Sequence, residues 1–513
     1  MGILSAFSRG MEAGFQHYGQ ELDRPQDPPR DAGQMSPIKI GYYFDRERRQ
    51  PGAPLYYYGE RHIVVFGLNG AGKSTRFLIE LLATLQGKRS VFVVDLKGEL
   101  AYQTALLRKR YSDVYVVNPF NVLNMGSSGH NPLLRIPVDN QLFRRARAIA
   151  DALIEIEEGS GAHWTESAQG LVVALVMYEV VSSKAEKRTP SLLNVRLKLT
   201  EAEEYETYTD ERGRRAERLI KGLKFHAAKM VACGIPQIAS LASRFVRDHG
   251  QGELSSIQST ADTQTRFLLD PMIAADLAKP GVDLRQIRHK PTSVYLVLPP
   301  DQTTDMRRWT RILLSSALSA HFVPGEVNTL FVMDEFRASV GRMQILSDMW
   351  SLVRGYGVQL MPILQSAVQL KALFRDEWEN YVAQAGLIAT LGPPGDMFTA
   401  EWMSKRSGTT TVSQLSFNSS VGTGGGDSLS QNSRDWNSST GQSSNRNKGG
   451  SLNMAQVQRP AFLPQELMDI ETGHGRIWVP GMGSKSIPFF APPYWRRKAP
   501  WVKAVQPNPY YRG

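Results

Sequence analysis

The residues best suited to chemistry lie in HIVVFGLNGAGKSTRF, from His62 to Phe77. Gly67, followed after four residues by Gly72-Lys73-Ser74, fits G-x-x-x-x-G-K-[ST] without a gap. In this pattern the glycines let backbone N–H groups close round phosphate oxygens, the lysine reaches the β- and γ-phosphates, and the hydroxyl beside it holds Mg²⁺. Gly67, Gly70, Gly72, Lys73, Ser74 and Thr75 are therefore expected to cradle ATP, with Ser74 on the metal. A second acidic centre stands in TLFVMDEF, where four apolar residues lead into Asp334-Glu335. Asp334 is expected to hold the Mg²⁺ shell, and Glu335 to polarise the attacking water.

Such groups need a frame. An apolar run, Ile63 to Phe66, precedes the glycine loop, and a helix-like run, Ser74 to Leu85, follows it, as a phosphate site at a helix N-terminus requires. Similar runs recur at 62–67, 90–96, 114–119, 292–299, 329–335, 360–366 and 386–392, mostly with helix-like segments between them. Near-continuous apolar strands alternating with helices imply a parallel sheet covered on both faces. From about 138 to 250 the alternation stops and helical patterns take over, strongest over Trp164–Val181. The expected organisation is an N-terminal arm (1–37), a first part of the nucleotide domain (38–137), an all-α insert (138–251), a second part (252–406), a Gly/Ser-rich flexible loop (407–453), a closing segment (454–493) and a basic aromatic tail (494–513). The loop is expected to be irregular because it has too little apolar surface to offset its ordering entropy.

The chain has 513 residues, and 60 Lys and Arg against 49 Asp and Glu give a net charge of +11. That surplus suits an anionic partner, and the tail interleaves Tyr494, Trp495, Trp501, Tyr510 and Tyr511 with Arg496, Arg497, Lys498, Lys503 and Arg512. The tail suits nucleic acid, a membrane surface or packing on the sheet. A single cysteine, Cys233, excludes internal disulfides and Cys-cluster metal sites. No stretch approaches eighteen apolar residues, so no spanning helix is expected. Residues 1–20 carry helical apolar spacing that suits either a packing helix or reversible contact with a membrane.

The glycine loop also reads like that of ABC-transporter ATPases, but the segment before TLFVMDE, RRWTRILLSSALSAHFVPGEVN, carries no LSGGQ-type signature. Other segments fit better. VFVVDLKGEL at 91–100, HNPL at 130–133, WTESAQGL at 164–171, SSIQSTADTQTRFLLDP, KPTSVYLVLPPD, and FVMDEFRASVGRMQILSDMWSLVRGYGVQLMPILQSAVQL at 331–370 occur in order. SGTTTV and RPAFLPQEL follow. Together they resemble the type IV secretion coupling proteins of the TraG/TraD conjugative DNA-transfer family over roughly 38–495. Leu96 stands where that family usually has proline, Arg337 stands where proline often follows Asp-Glu-Phe, and no N-terminal membrane anchor is read.

The resemblance implies an α/β fold, a RecA-like P-loop NTPase domain with an inserted all-α domain. It also implies a homohexamer; because no spanning segment is read, the expected place is the cytoplasm, peripheral at the inner face of the bacterial membrane. Such a ring couples ATP hydrolysis to moving DNA, often relaxase-bound single strands, or protein effectors toward a type IV secretion channel. Gln365, at the end of the apolar run in LMPILQS, is then placed as a γ-phosphate sensor, and Arg354, in LVRGYGV, as an arginine finger supplied by the neighbouring subunit. A double-stranded DNA pump of the segregation or packaging type and a non-translocating docking platform are the alternatives.

Overall fold

The computed structural model describes residues 37–45, 48–85, 89–157, 159–246, 251–350, 352–427, 442–480 and 486–510. The first twenty residues, with their amphipathic spacing, lie outside these. The strands in chain order are β1 (Ile38–Asp45), β2 (Gln50–Tyr57), β3 (His62–Gly67), β4 (Arg89–Asp95), β5 (Asp113–Val117), β6 (Glu204–Thr209), β7 (Arg215–Lys221), β8 (Thr292–Val297), β9 (Asn328–Met333), β10 (Val358–Leu364), β11 (Ala385–Leu391), β12 (Thr409–Asp427), β13 (Gln442–Pro460), β14 (His474–Trp478) and β15 (Ile487–Phe490). The seven apolar runs of the sequence become seven parallel strands in the order β11-β3-β10-β9-β4-β8-β5. Their continuous apolar composition follows from burial on both faces: β3, β4, β8, β10 and β11 are buried from end to end. Four antiparallel strands, β14, β15, β1 and β2, extend the sheet beyond β11.

Because side chains alternate along a strand, the sheet feeds two separate cores. Ile63, Val65, Val91, Val93, Leu330 and Val332 pack under helices α1 (Ile79–Thr84) and α2 (Glu99–Arg108). Val64, Phe66, Phe92, Val94, Phe331 and Met333 face the other way, into a core shared with the helical insert. Each such side chain contributes roughly 1.5–3 kcal/mol by burial.

The insert is built round α3 (Leu142–Leu153), α4 (Ala162–Ala185), α5 (Leu192–Thr200), α6 (Leu223–Val231) and α7 (Pro236–Ala242). Its helical body runs on past 251, because α8 (Gln251–Thr265) packs against α4 and its Gln258 donates to the Leu199 carbonyl at 2.7 Å. Two features depart from expectation. An exposed antiparallel hairpin, β6-β7, interrupts the helices. In addition, α4 is long and apolar enough to cross a membrane, contrary to the reading that no stretch is. Most of α4 is buried in the insert, so it serves here as the central helix of a core. Its one fully buried acid shows the same. Burial pushes the Glu179 carboxyl up, but Arg188, Lys198 and Asn194 hydrogen-bond it and hold it below the usual range, pinning the chain after α4 and the start of α5.

The segment expected to be an irregular loop is instead a two-stranded ribbon, β12 with β13, in unbroken register from Thr409↔Pro460 to Asp427↔Gln442. A hairpin satisfies its inner backbone groups by pairing with itself, so poor apolar content does not prevent it. The described part of the tail is tied to the nucleotide domain at several points. Gln103 of α2 donates to the Tyr494 hydroxyl and the Gln506 carbonyl, Arg497 pairs with Glu80, and the Tyr510 hydroxyl donates to the Lys97 carbonyl at 2.6 Å.

His62 opens the strand that leads to the glycine loop. Its Nδ1 accepts from the Leu360 N–H at 3.1 Å, so Nε2 carries the proton and donates to the Trp350 carbonyl at 2.7 Å. Burial pushes this imidazole down to about 4. A depressed histidine stabilises the fold above its unfolded value near 6.5, and that stability is lost as pH falls toward 4. Between pH 6.5 and pH 5, His62→Gln should therefore lose about 1.5 kcal/mol less unfolding free energy than the parent protein. Urea melts at the two pH values check this, and equal losses would show that His62 is protonated in the folded state.

Candidate nucleotide site

The site forms at the carboxyl edge of the parallel strands, where the chain must leave the sheet in loops. After β3 the backbone turns through Gly70 and Gly72, at φ +83° and +85°. Only glycine adopts this left-handed conformation freely. A Cβ on Gly72 would also fall 2.6 Å from Arg76 Cδ. The next residues, Lys73–Leu78, are wound as a π-helix that runs into α1. The Thr75 hydroxyl donates back to the Gly72 carbonyl at 3.5 Å. Lys73 is buried, and its ammonium donates to the Gly67 carbonyl at 3.0 Å and to Glu335 Oε1 at 2.9 Å.

On β9 the ladder ends as the Asp334 N–H donates to the Val94 carbonyl. Glu335 then takes a left-handed turn, φ 46° and ψ 51°. For a residue with a Cβ this conformation costs about 1–2 kcal/mol. The turn sends the two carboxylates apart: Asp334 stays beside β4, while Glu335 reaches the β3 loop. A short helix, α10 (Phe336–Ser339), follows, and its Ser339 hydroxyl donates to the Asp334 carbonyl at 2.8 Å.

Between these two strands lies β10. Its next residue, Gln365, donates from Nε2 to Glu335 Oε2 at 3.0 Å and to Asn69 Oδ1 at 3.2 Å. One amide thus joins the glycine loop to the acidic strand. Beyond β9, Asp95 ends β4 and accepts the Ala101 N–H at 2.8 Å. Burial pushes the Asp95 carboxyl up to about 7 against that bond, and the charge of Asp334 adds to the rise. Asp334 keeps some exposed surface, yet the protein around it, with Glu335 adding, pushes it up to about 6. These two carboxyls favour a cation beside them. A divalent metal would offset both the burial and their mutual repulsion, and the loop N–H groups of a glycine nest suit the phosphates it accompanies.

The structure therefore brings Gly67, Gly70, Gly72, Lys73, Ser74, Thr75, Asp334, Glu335 and Gln365 to one edge. Arg354 is elsewhere. It lies in the turn before β10, at the amino edge, 4.0 Å from Glu60. Seven strand residues at ~3.3 Å each put it roughly 20 Å from the glycine loop of its own chain. Sequence reading missed Asn69, a variable position inside the glycine motif, and Asp95. The signal for Asp95 was there: VFVVD repeats the pattern of TLFVMD, an acid at the end of an apolar strand.

With this geometry in hand, comparisons with known proteins converge. A family model described as type IV secretory system conjugative DNA transfer matches residues 20–474. The conjugal transfer protein TraG of Escherichia coli is 25% identical over 419 residues, covering 76% of this chain and 61% of TraG. VirD4 of Agrobacterium fabrum is 24% identical over 363 residues, covering 68% of this chain and 49% of VirD4. The chain thus spans about three fifths or less of the length of these relatives. The coupling protein TrwB, in a trigonal form with sulphate, superposes with a TM-score of 0.59 at 15% identity, covering 93% of this chain and 97% of that one. A second TrwB structure, solved with ADP and Mg²⁺, gives 0.57 at 16% identity over 91% and 96% of the two chains. The fold is that of a RecA-like P-loop domain with a helical insert.

Three substitutions separate the parts of the site. Lys73→Ala should weaken nucleotide binding and abolish turnover. Glu335→Gln should keep binding and lower kcat by ~10²–10⁴-fold, the scale of a lost general base. Gln365→Ala should lower kcat on the order of 10²-fold with little change in KM, the scale of one preorganised donor. Nucleotide titrations and steady-state kinetics check all three. Wild-type turnover in Glu335→Gln would remove Glu335 from the chemistry.

Proposed function

Because the chain belongs to the type IV secretory system conjugative DNA transfer family, we propose that it is a coupling ATPase, one that uses ATP hydrolysis to recruit and move DNA, relaxase-bound or single-stranded, or protein effectors toward a type IV secretion channel. It works as a homohexamer in the bacterial cytoplasm, peripheral to the membrane and in contact with channel components. The observation that carries this reading is Gln365, hydrogen-bonded at once to the glycine loop and to Glu335.

The proposed roles follow from the contacts. Lys73 and Glu335 satisfy each other at 2.9 Å. When Lys73 turns to the β- and γ-phosphate oxygens of ATP, the Glu335 carboxylate is released and becomes able to orient water toward the γ-phosphorus. Ser74 and Asp334 would hold Mg²⁺, which when bound neutralises charge on the phosphate oxygens. Gln365, already bonded to Glu335 and Asn69, reports the state of the γ-phosphate to both. Arg354 is too far from Lys73 to serve its own chain, so as a finger it must serve a neighbour. That requirement supports a ring over a monomer.

Mixing tests the ring. Arg354→Ala and Glu335→Gln subunits are each expected to be inactive, while a mixture should regain turnover at interfaces that pair an intact Arg354 with an intact Glu335. The rescue should rise with protein concentration and should depend on added DNA. Inactive mixtures under conditions where hexamers are observed would assign Arg354 to the Glu60 pair alone.

A further inference from the structure

The helix before β9, α9 (Thr303–Ser319), carries Arg307, Arg308 and Arg311 next to α10, which itself carries Arg337. Arg311 is fully used: Nε donates to the Val340 carbonyl at 2.9 Å, and its other nitrogens pair with Glu155 of the insert at 3.2 Å. The rest are not. Arg307 donates from Nε alone, to the Ala338 carbonyl at 3.3 Å, which leaves its terminal nitrogens without a protein acceptor among the described residues. Arg308 has a buried Nε with no acceptor. Arg337 is exposed and makes no ion pair among the described residues. Glu155 is the one carboxylate that any of the four engages there. Burial pushes the Arg307 guanidinium down and Arg311 and Arg337 push the same way, with Glu155 alone opposing them.

Guanidinium groups with free N–H forks, crowded together and short of carboxylates, match phosphate oxygens. We infer that Arg307, Arg308 and Arg337 form a binding site for the phosphate backbone of the nucleic acid this ATPase moves. The inference rests on the proposed function and adds the place of contact. It also adds a route to the chemistry. Arg307 bonds a carbonyl of α10, and Arg337 lies two residues after Glu335. The Ala338 and Ser339 N–H groups and the Ser339 hydroxyl all bond the Glu335 carbonyl. Gly341 closes the packing, since a Cβ there would meet Arg307 Cδ at 3.1 Å. A phosphate drawing on these arginines therefore acts on the helix that fixes the strained Glu335. Arg337 stands where the family often has proline, so this contact belongs to this chain's own sequence.

The test is Arg308→Gln with Arg337→Gln, two side chains for which no hydrogen bond is seen among the described residues. DNA binding is measured by anisotropy across a salt series, and turnover is measured with and without DNA. Two lost phosphate contacts should flatten the log–log salt dependence by about 1.4–1.8. DNA stimulation of turnover should fall toward the basal rate, while basal turnover and KM for ATP hold. Lys498→Gln with Lys503→Gln, in the packed tail, should keep the parent slope. An unchanged slope and full stimulation in the arginine variant would overturn the site, as would a raised KM for ATP with DNA binding intact, which would make it a nucleotide contact. A parent protein that neither binds DNA nor responds to it would remove the proposed function and this site with it.

Discussion

The site depends on β10 lying between β3 and β9. Parallel strands present their carboxyl ends at one edge, and loops leaving neighbouring strands cannot avoid one another there. With β10 in the middle, the glycine loop and the acidic pair are separated by one strand. That gap is spanned from both sides, by the Lys73 ammonium reaching Glu335 and by the Gln365 amide reaching Asn69 and Glu335. Had β3 and β9 been adjacent, no side chain would enter between them. The left-handed Glu335 follows from the same constraint. Asp334 continues the ladder toward β4, so its neighbour reaches the glycine loop only if the backbone turns sharply. The cost of that turn is borne by the α10 hydrogen bonds that follow it.

The central sheet was the most legible part of the sequence, because burial on both faces leaves unbroken apolar runs. All seven parallel strands were read within a residue or two. The antiparallel strands were not. β2 reads QPGAPLYY, with two prolines and a glycine, and it survives as an edge strand because one side of its ladder needs no donor. β12 and β13 are poor in apolar residues, so periodicity gave a weak signal; their register is carried by backbone pairing. The expected end of the helical insert at 251 falls at the start of α8, whose packing on α4 is a contact that no local pattern states.

At the site, glycine spacing and the Asp-Glu pair could be read because each is local in sequence. What could not be read were contacts between residues far apart. Asn69 gains its partner 296 positions away, and Asp95 matters because β4 lies beside β9, a pairing no local pattern states. Arg354 shows the opposite limit. Read from the sequence as an arginine finger, it lies in the turn before β10, at the far edge of its own sheet from the glycine loop.

The charge of the chain is also divided by the fold. The tail was the most basic segment in view, yet Arg497 is largely used inside the protein. Its Nε bonds Glu80 at 3.1 Å, its guanidinium stacks over Tyr42, and Lys39 shares the same carboxylate at 3.0 Å. Tyr494 and Tyr510 are likewise tied to α2 and to the loop after β4. This side of the sheet holds the tail, α1 and α2, and its cations there are partly spent on holding the last residues against the nucleotide domain. On the opposite face, where the insert packs, α9 and α10 gather four guanidinium groups, of which only Arg311 pairs with a carboxylate among the described residues. Two cores on one sheet thus separate a face that is closed by its own tail from a face whose positive charge is left for another molecule.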